Sequence, residues 1–313
     1  MEDSLRAAEG SSRRIAPGAR VAFIGLGRMG LPMARNLIRK GFVVIGCDRD
    51  AGRMSLLAAE GGLCAVTPRE AAAQADATLS MIMNDAILHA VALGPDGVLA
   101  GARPGHLYCD LSTVSPAASA KVAEAAGAAG AHYVCGKVAG SVGLAEKGEL
   151  SLFGSGDESA FERMRDVFAA MAARADHVGA GEAAAYLKLV HSLIVGVYSS
   201  MIGEALAFGR KGGLSLDTMI DVLERGPLGS RQLSLKAPIL KARDFDQPPS
   251  DIDTAAKDVD IILDTGRHDA TPLPLLSAAR QMMAAAQARG EGKRDIYAVL
   301  ETFEAFAGLD QAE

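Results

Sequence analysis

Gly25, Gly27 and Gly30 stand in the stretch FIGLGRMGLPMARNL, residues 23–37, directly after an apolar run and at the mouth of a helical pattern. Glycines in GxGxxG order at a strand-to-helix turn suit a pyrophosphate. The first permits the tight turn, the second lets backbone approach the phosphates, and the third lets the helix pack on the strand. The phosphates then rest on free N–H groups of the first helical turn, so Leu26, Arg28 and Met29 belong to the same cradle. A glycine turn that serves packing alone has the same letters. The dinucleotide is favoured because the next apolar run, VVIGCD, ends in Asp48, at the distance of about 20 residues where a carboxylate grips a ribose 2′-hydroxyl. Asp48 repels a 2′-phosphate, whereas the guanidinium of Arg49 attracts one unless it is simply solvated. With Asp50 adding a second negative charge, NAD is expected ahead of NADP.

A nicotinamide dinucleotide implies hydride transfer, and a hydride delivered to a carbonyl leaves an alkoxide that needs a proton. Lys188 lies inside the apolar helical run AAAYLKLV. Partial desolvation there lowers a lysine toward neutrality and makes it a usable acid and base. A lysine snorkelling from an exposed helix face has the same local sequence. His191 and Ser192 follow at i+3 and i+4, on the same helix face. His191 reads either as a substrate contact or as a histidine satisfied inside a domain interface.

Short apolar runs that alternate with Ala-rich helical spacing from Arg20 to about Val178 must position these groups: RVAFIGLG, VVIGCD, ATLSMIM, HLYCDLS, HYVCGKVAG and LSLFGSG are strand candidates. Such alternation predicts an α/β fold, a doubly wound, mostly parallel Rossmann sheet over residues 19–179. After Gly181 the strands stop. About 30 residues read as one uninterrupted helix, roughly 45 Å long. Further helices are expected at Leu216–Arg225, around 255–266, at 273–288 and at 296–307. Residues 180–313 therefore form an all-helical domain built on a long interdomain helix, and residues 1–18 a loose tail. A helix of that length cannot be covered by a small bundle alone, so a homodimer or homotetramer is expected.

The 313 residues carry a formal net charge of −6 and 4% aromatics, which argues against nucleic acid and anionic lipid as partners. No apolar run approaches the roughly 20 residues of a membrane span. The first 18 residues lack the apolar core of a signal peptide. Cys47, Cys64, Cys109 and Cys135 lie singly without metal-like spacing, and reduced, buried thiols in a cytoplasmic protein fit best.

The run from Phe23 to Leu37, with methionines at 29 and 33, resembles the β-hydroxyacid dehydrogenases, the family of 3-hydroxyisobutyrate dehydrogenase and of the tartronate, glyoxylate and succinic semialdehyde reductases. Four further blocks carry the resemblance in order: DLSTVSP from Asp110, GSVGLAEKGELSLFGSG from Gly140, GAGEAAAYLKLVHS from Gly179 and AAKDVDIILDTG from Ala255. It implies a Rossmann domain, an all-helical domain, an active site in the cleft between them, and NAD(P)-dependent interconversion of a short hydroxyacid with its aldehyde or keto form. By the same resemblance, Lys188 is the catalytic lysine and Lys257 a second lysine that reaches the cofactor. Ile82 and Met83 match a Leu-Pro pair lying against the cofactor, and Thr113 matches a contact beside the nicotinamide and substrate.

Two departures concern the substrate, expected to be a small anionic or carbonyl compound. The family's tandem asparagines after the lysine are replaced by His191 and Ser192. Its carboxylate-gripping loop, Asp-Ala-Pro-Val-Ser-Gly-Gly, becomes CGKVAGS, residues 135–141, where Ala139 replaces the serine while Gly140 keeps the backbone approach and Ser141 adds a hydroxyl. Lys137, in place of the proline, is either a solvated strand-end lysine or a positive charge for an anionic substrate. An imine reductase-like C=N reductase and a non-catalytic dinucleotide-binding protein are the alternatives, with Lys188 weighing against the first.

Overall fold

A computed structural model describes residues 14–246, 248 and 250–309. Eight strands form one sheet: β1 (Arg20–Ile24), β2 (Val43–Cys47), β3 (Leu63–Cys64), β4 (Ala77–Ser80), β5 (Leu107–Asp110), β6 (His132–Ala139), β7 (Leu150–Gly156) and β8 (Ala172–His177). Their order is β3-β2-β1-β4-β5-β6-β7-β8. Every pairing is parallel except β6 with β7, which is antiparallel. The strands are apolar on both faces because helices cover both. In β1, Val21 and Phe23 enter one buried cluster and Ala22 and Ile24 the other.

The parallel register sets the place of the chemistry. Ile24 lies opposite Cys47 and Ser80, Ser80 opposite Asp110, and Asp110 opposite Cys135. The carboxyl ends of β1, β2, β4 and β5 therefore reach one edge together, and β6 runs on past them to Ala139. The strand order reverses beside β1, and ligands of open α/β sheets bind outside the strand ends at such a point.

Six strands fall on the apolar runs expected to form them. β3 escapes because it is two residues long. β8 escapes because its sequence, AARADH, is polar; its Arg174 and Asp176 pair at 2.6 Å on the sheet's surface. Of the segment expected as a loose tail, residues 1–13 lie outside the described residues. Ile15, however, is buried, and its N–H donates to the Arg163 carbonyl, so the end of that segment belongs to the fold. Cys47, Cys109 and Cys135 are buried as expected, but Cys64 is exposed on β3 at the sheet's edge.

The chain divides into two compact units, residues 1–188 and 189–313. The long helix spans Ala183–Lys211, 29 residues. It starts where β7 presents Ser155, whose hydroxyl accepts from the Ala184 N–H and donates to the Gly181 carbonyl. This helix is long and apolar enough to cross a membrane by length and composition, a property the sequence reading missed. In the second unit its Leu189, Ile202, Leu206 and Ala207 join a buried core with Ile220, Phe245 and Tyr297, as a core helix does. The helices Leu216–Arg225, Ile252–His268, Pro274–Ala288 and Val299–Phe306 match expectation, the last preceded by a 3₁₀ turn at Ile296–Ala298. The helix Arg231–Ala242 was not anticipated, since Pro238 inside it reads as a breaker. Burial of Leu233, Ala237 and Leu240 holds it together nonetheless.

Candidate active site

Each motif glycine has the geometry its role demands. Gly25 has φ +91°, and a Cβ there would sit 2.3 Å from the Met81 carbonyl oxygen. A Cβ on Gly30 would lie 2.0 Å from the Gly25 carbonyl oxygen, so the helix packs directly on the turn. At Gly27 the nearest atom to such a Cβ is the Arg53 guanidinium at 3.2 Å, so this backbone faces a movable cation. The helix Gly30–Arg39 starts with no side-chain cap and no acidic residue in its first turn. Uncapped N–H groups beside glycine backbone fit a phosphate-bearing dinucleotide.

Asp48 ties the turn to β2. Its Oδ2 accepts from the Leu26 N–H at 2.6 Å and its Oδ1 from the Asp50 N–H at 2.8 Å. A carboxylate has about four acceptor directions, so both oxygens keep capacity for a ribose hydroxyl. Asp50 instead caps the helix Ala51–Ala58 and pairs with Arg53 at 3.4 Å, so much of its charge is compensated. Arg49 is exposed. Arg53, which the sequence reading overlooked, is the cation beside Gly27; its signal was its place one helical turn after the Asp50 cap.

A buried polar network links the next two strand ends. Asp110 Oδ1 accepts from the Ser80 and Ser112 hydroxyls, both at 2.7 Å. The Ser112 oxygen accepts from the Ile82 N–H at 2.8 Å. A second tie lies nearby, where Ser115 donates from its N–H and its hydroxyl to Asp85 at 2.9 and 2.5 Å. The loop carrying Ile82 and the exposed Met83 is thus fastened to the loop carrying half-buried Thr113. Lys137 joins the same network. Its side chain is 1% exposed and its ammonium lies 3.3 Å from Asp110 Oδ2, itself 0% exposed. It is neither a solvated strand-end lysine nor a free charge for substrate, because it faces inward from β6 beside β5. Burial pushes the lysine down, but the neighbouring Cys135 and Asp110 outweigh it and hold the ammonium above its ordinary range.

At the end of β6, half-buried Lys188 donates from Nζ to the Val138 carbonyl at 3.0 Å. Gly140 follows at φ +139°, a backbone that other residues rarely adopt. The Ser141 hydroxyl accepts from the Leu144 N–H at 3.4 Å as the cap of a short helix, Val142–Lys147, and is exposed. Within the first unit the structure therefore brings Gly25–Gly30, Asp48, Ile82, Thr113, Gly140 and Lys188 to strand ends at the sheet's carboxyl edge.

In the second unit Ser192 and Lys257 meet through Asp258. The Ser192 hydroxyl donates to Asp258 Oδ2 at 3.4 Å, and the Lys257 ammonium lies 2.9 Å from Asp258 Oδ1. Asp258 was not singled out from the sequence, although it stands next to Lys257 in the block KDVD. His191 is exposed.

Two family models match successive parts of the chain. Residues 20–179 match the family described as the NAD-binding domain of 6-phosphogluconate dehydrogenase. Residues 179–303 match that described as the NAD-binding domain of NADP-dependent 3-hydroxyisobutyrate dehydrogenase. The chain is 32% identical to L-threonate dehydrogenase of Cupriavidus necator, over 90% of this chain and 95% of that one. It is 31% identical to 2-(hydroxymethyl)glutarate dehydrogenase of Eubacterium barkeri, over 93% and 96%. Among solved structures, 3-hydroxyisobutyrate dehydrogenase of Mycobacterium tuberculosis with L-serine superposes with a TM-score of 0.84 at 30% identity, over 91% of this chain and 98% of that one.

Proposed function

This chain belongs to the β-hydroxyacid dehydrogenase family and is an NAD(P)-dependent oxidoreductase; from that premise we propose that it interconverts a short hydroxyacid and its aldehyde or keto form, with Lys188 as the general acid and base. The observation that carries the reading is the fixed position of the Lys188 ammonium on the Val138 carbonyl, at the strand edge that also bears the glycine turn and Thr113. Gly25–Gly30, Asp48, Ile82, Met83 and Thr113 are the first-unit residues that would hold the dinucleotide, with Lys257 contributing from the second unit. The open backbone at Gly27 and the uncapped helix fit its pyrophosphate.

When bound, the nicotinamide supplies or accepts the hydride. Lys188 gives its proton to the substrate oxygen during carbonyl reduction and takes it back during alcohol oxidation. Its bond to the Val138 carbonyl orients one of its N–H donors at the end of β6. Thr113, Gly140, Ser141, His191 and Ser192 are proposed to contact the substrate. By their names, the two dehydrogenases of similar sequence take threonate and 2-(hydroxymethyl)glutarate. Both are short carboxylates bearing a hydroxyl, and short hydroxyacids with their aldehyde or keto forms are the substrate class we assign.

NAD(H) is proposed as the preferred form because Asp48 stands at the end of β2 and Asp50 offsets Arg53. We further propose a cytoplasmic homodimer or homotetramer. Leu187, Val190, Ile194, Met201 and Phe208 leave an exposed apolar stripe along the long helix, spaced three, four, seven and seven residues apart. A panel of short hydroxyacids, aldehydes and cyclic imines, followed at the nicotinamide absorbance with each dinucleotide, tests the assignment. Turnover confined to imines, or dinucleotide binding with no turnover at all, overturns it.

A further inference from the structure

Lys137 has no role in the reading above, yet it is among the largest fully buried side chains in the protein. Its ammonium lies 3.3 Å from Asp110 Oδ2 and 3.4 Å from the Asp110 carbonyl oxygen. The opposite carboxylate oxygen, Oδ1, takes the only proton that each of two serine hydroxyls can give. That choice fixes what each serine oxygen does next. The Ser80 oxygen is left to accept from the Tyr108 hydroxyl at 2.9 Å, and the Ser112 oxygen to accept from the Ile82 N–H at 2.8 Å. The polarity of the network therefore originates at the Asp110 charge and ends on the main chain of the loop after β4.

A carboxylate excluded from water needs a counter-charge, because removing one partner of a buried pair leaves the other uncompensated. Lys137 reaches Asp110 because the two strands run parallel. Cys135 lies opposite Asp110, and Lys137, two residues on, presents the same face. We propose that Lys137 is a positioning residue for the cofactor loop: by compensating Asp110, it keeps Ser112 on the Ile82 N–H and so holds Ile82, Met83 and Thr113 in the arrangement that receives the nicotinamide. The inference rests on the proposed cofactor role of those three residues. It also explains the lysine that replaces proline in the CGKVAGS loop. The position serves the dinucleotide side through Asp110 rather than gripping the substrate.

The test uses amide hydrogen exchange at Ile82 in the protein without dinucleotide, together with NADH affinity by fluorescence titration. Lys137→Met is expected to speed Ile82 exchange by about tenfold or more, with the amides of β1 unchanged, and to weaken NADH binding by about fivefold. The double variant Lys137→Met/Asp110→Asn removes both charges but keeps a carbonyl acceptor for Ser80 and Ser112. It is expected to return both measurements to within about twofold of the wild type. Unchanged Ile82 exchange in Lys137→Met overturns the proposal. So does a double variant as impaired as the single one, since the lysine stem rather than its charge is then what matters. If Lys137→Met does not fold, the double variant decides alone: wild-type Ile82 exchange supports the proposal, and fast exchange or failure to fold overturns it. A wild-type protein that binds neither NADH nor NADPH refutes the proposed function, while the exchange comparison still reads the network.

Discussion

The Lys188 ammonium donates to the main-chain carbonyl of Val138 at 3.0 Å, which fixes a flexible four-carbon side chain at the end of β6. The anchor is a main-chain atom, so its position is set by the strand itself. Lys188→Met is expected to lower turnover by about 10² to 10⁴. NADH affinity should stay within about threefold, because the glycine turn and Asp48 lie elsewhere on the edge. Single-turnover kinetics beside equilibrium titration separate the two quantities. Activity within about threefold of the wild type would transfer the proton to another group, His191 first.

Asp48 performs two tasks that a substitution can separate. It is expected to accept from the ribose hydroxyl, and it already holds the Leu26 N–H in the glycine turn. Asp48→Ala should therefore narrow the NADH-over-NADPH preference and also weaken both dinucleotides, since the turn loses its tie. Asp48→Asn keeps an acceptor for Leu26 and should weaken NADPH less than Asp48→Ala does. Calorimetric titration of each pair gives the ratios. Tighter NADPH binding to the unmodified protein would show that Arg49 decides.

The apolar stripe on the long helix predicts an assembly larger than the 32.3 kDa chain. Light scattering across dilution should give at least twice that mass at micromolar concentration. Val190→Glu with Ile194→Glu should shift the distribution toward one chain. A monomer at every concentration would remove the proposal.

What the sequence made legible follows from how local each signal is. The glycine turn was readable because Gly25 and Gly30 satisfy steric demands set within a few residues of themselves. Strands β1, β2 and β4 to β7 were readable as short apolar runs, whereas β8 carries Arg174 and Asp176 on its exposed side and β3 is too short to show a period. Pro238 concealed a helix that tertiary burial maintains. At the site, Lys188 stood out within an apolar helix. Lys137 drew notice too, but neither reading of it holds, because its partner Asp110 lies 27 residues away and meets it only through the β5–β6 pairing. The same holds for Ser112 and Ile82, 30 residues apart.

His106 should make the first unit acid-sensitive. Burial, helped by Arg103, lowers its pKa to about 4, and its Nε2 lies 2.8 Å from the Thr78 hydroxyl. Below an unfolded value near 6.5 the unfolded chain takes up a proton that the folded chain refuses, so stability falls as pH drops from about 6.5 toward 4. The full shift corresponds to about 3 kcal/mol as an upper bound. Denaturant unfolding of wild type and His106→Gln across this range isolates the contribution. The difference between them should shrink on acidification, and a constant difference would contradict the assignment.

Glu304 offers the complementary case in the second unit. Its carboxylate is buried, with Arg210 at 2.6 Å from Oε1 and Arg243 at 2.7 Å from Oε2. Glu301 extends the network from Arg243 at 3.3 Å to Arg294 at 2.5 Å. Burial alone would raise the Glu304 pKa, but the hydrogen bonds from the two guanidinium groups outweigh it and hold it below its ordinary value. A depressed carboxylate contributes stability that is present above the unfolded pKa of about 4.3 and is lost as pH falls through the folded value. Glu304→Gln keeps the shape and leaves two cations facing an amide, so at pH 7 it should cost about 3 to 5 kcal/mol. The cost should diminish below about pH 4, where the wild-type carboxylate begins to protonate and loses the same interaction. Guanidinium chloride screens ion pairs, so urea is the denaturant to use. A Glu304→Gln protein within about 0.5 kcal/mol of the wild type at pH 7 would mean that the network's desolvation cost already cancels its attraction.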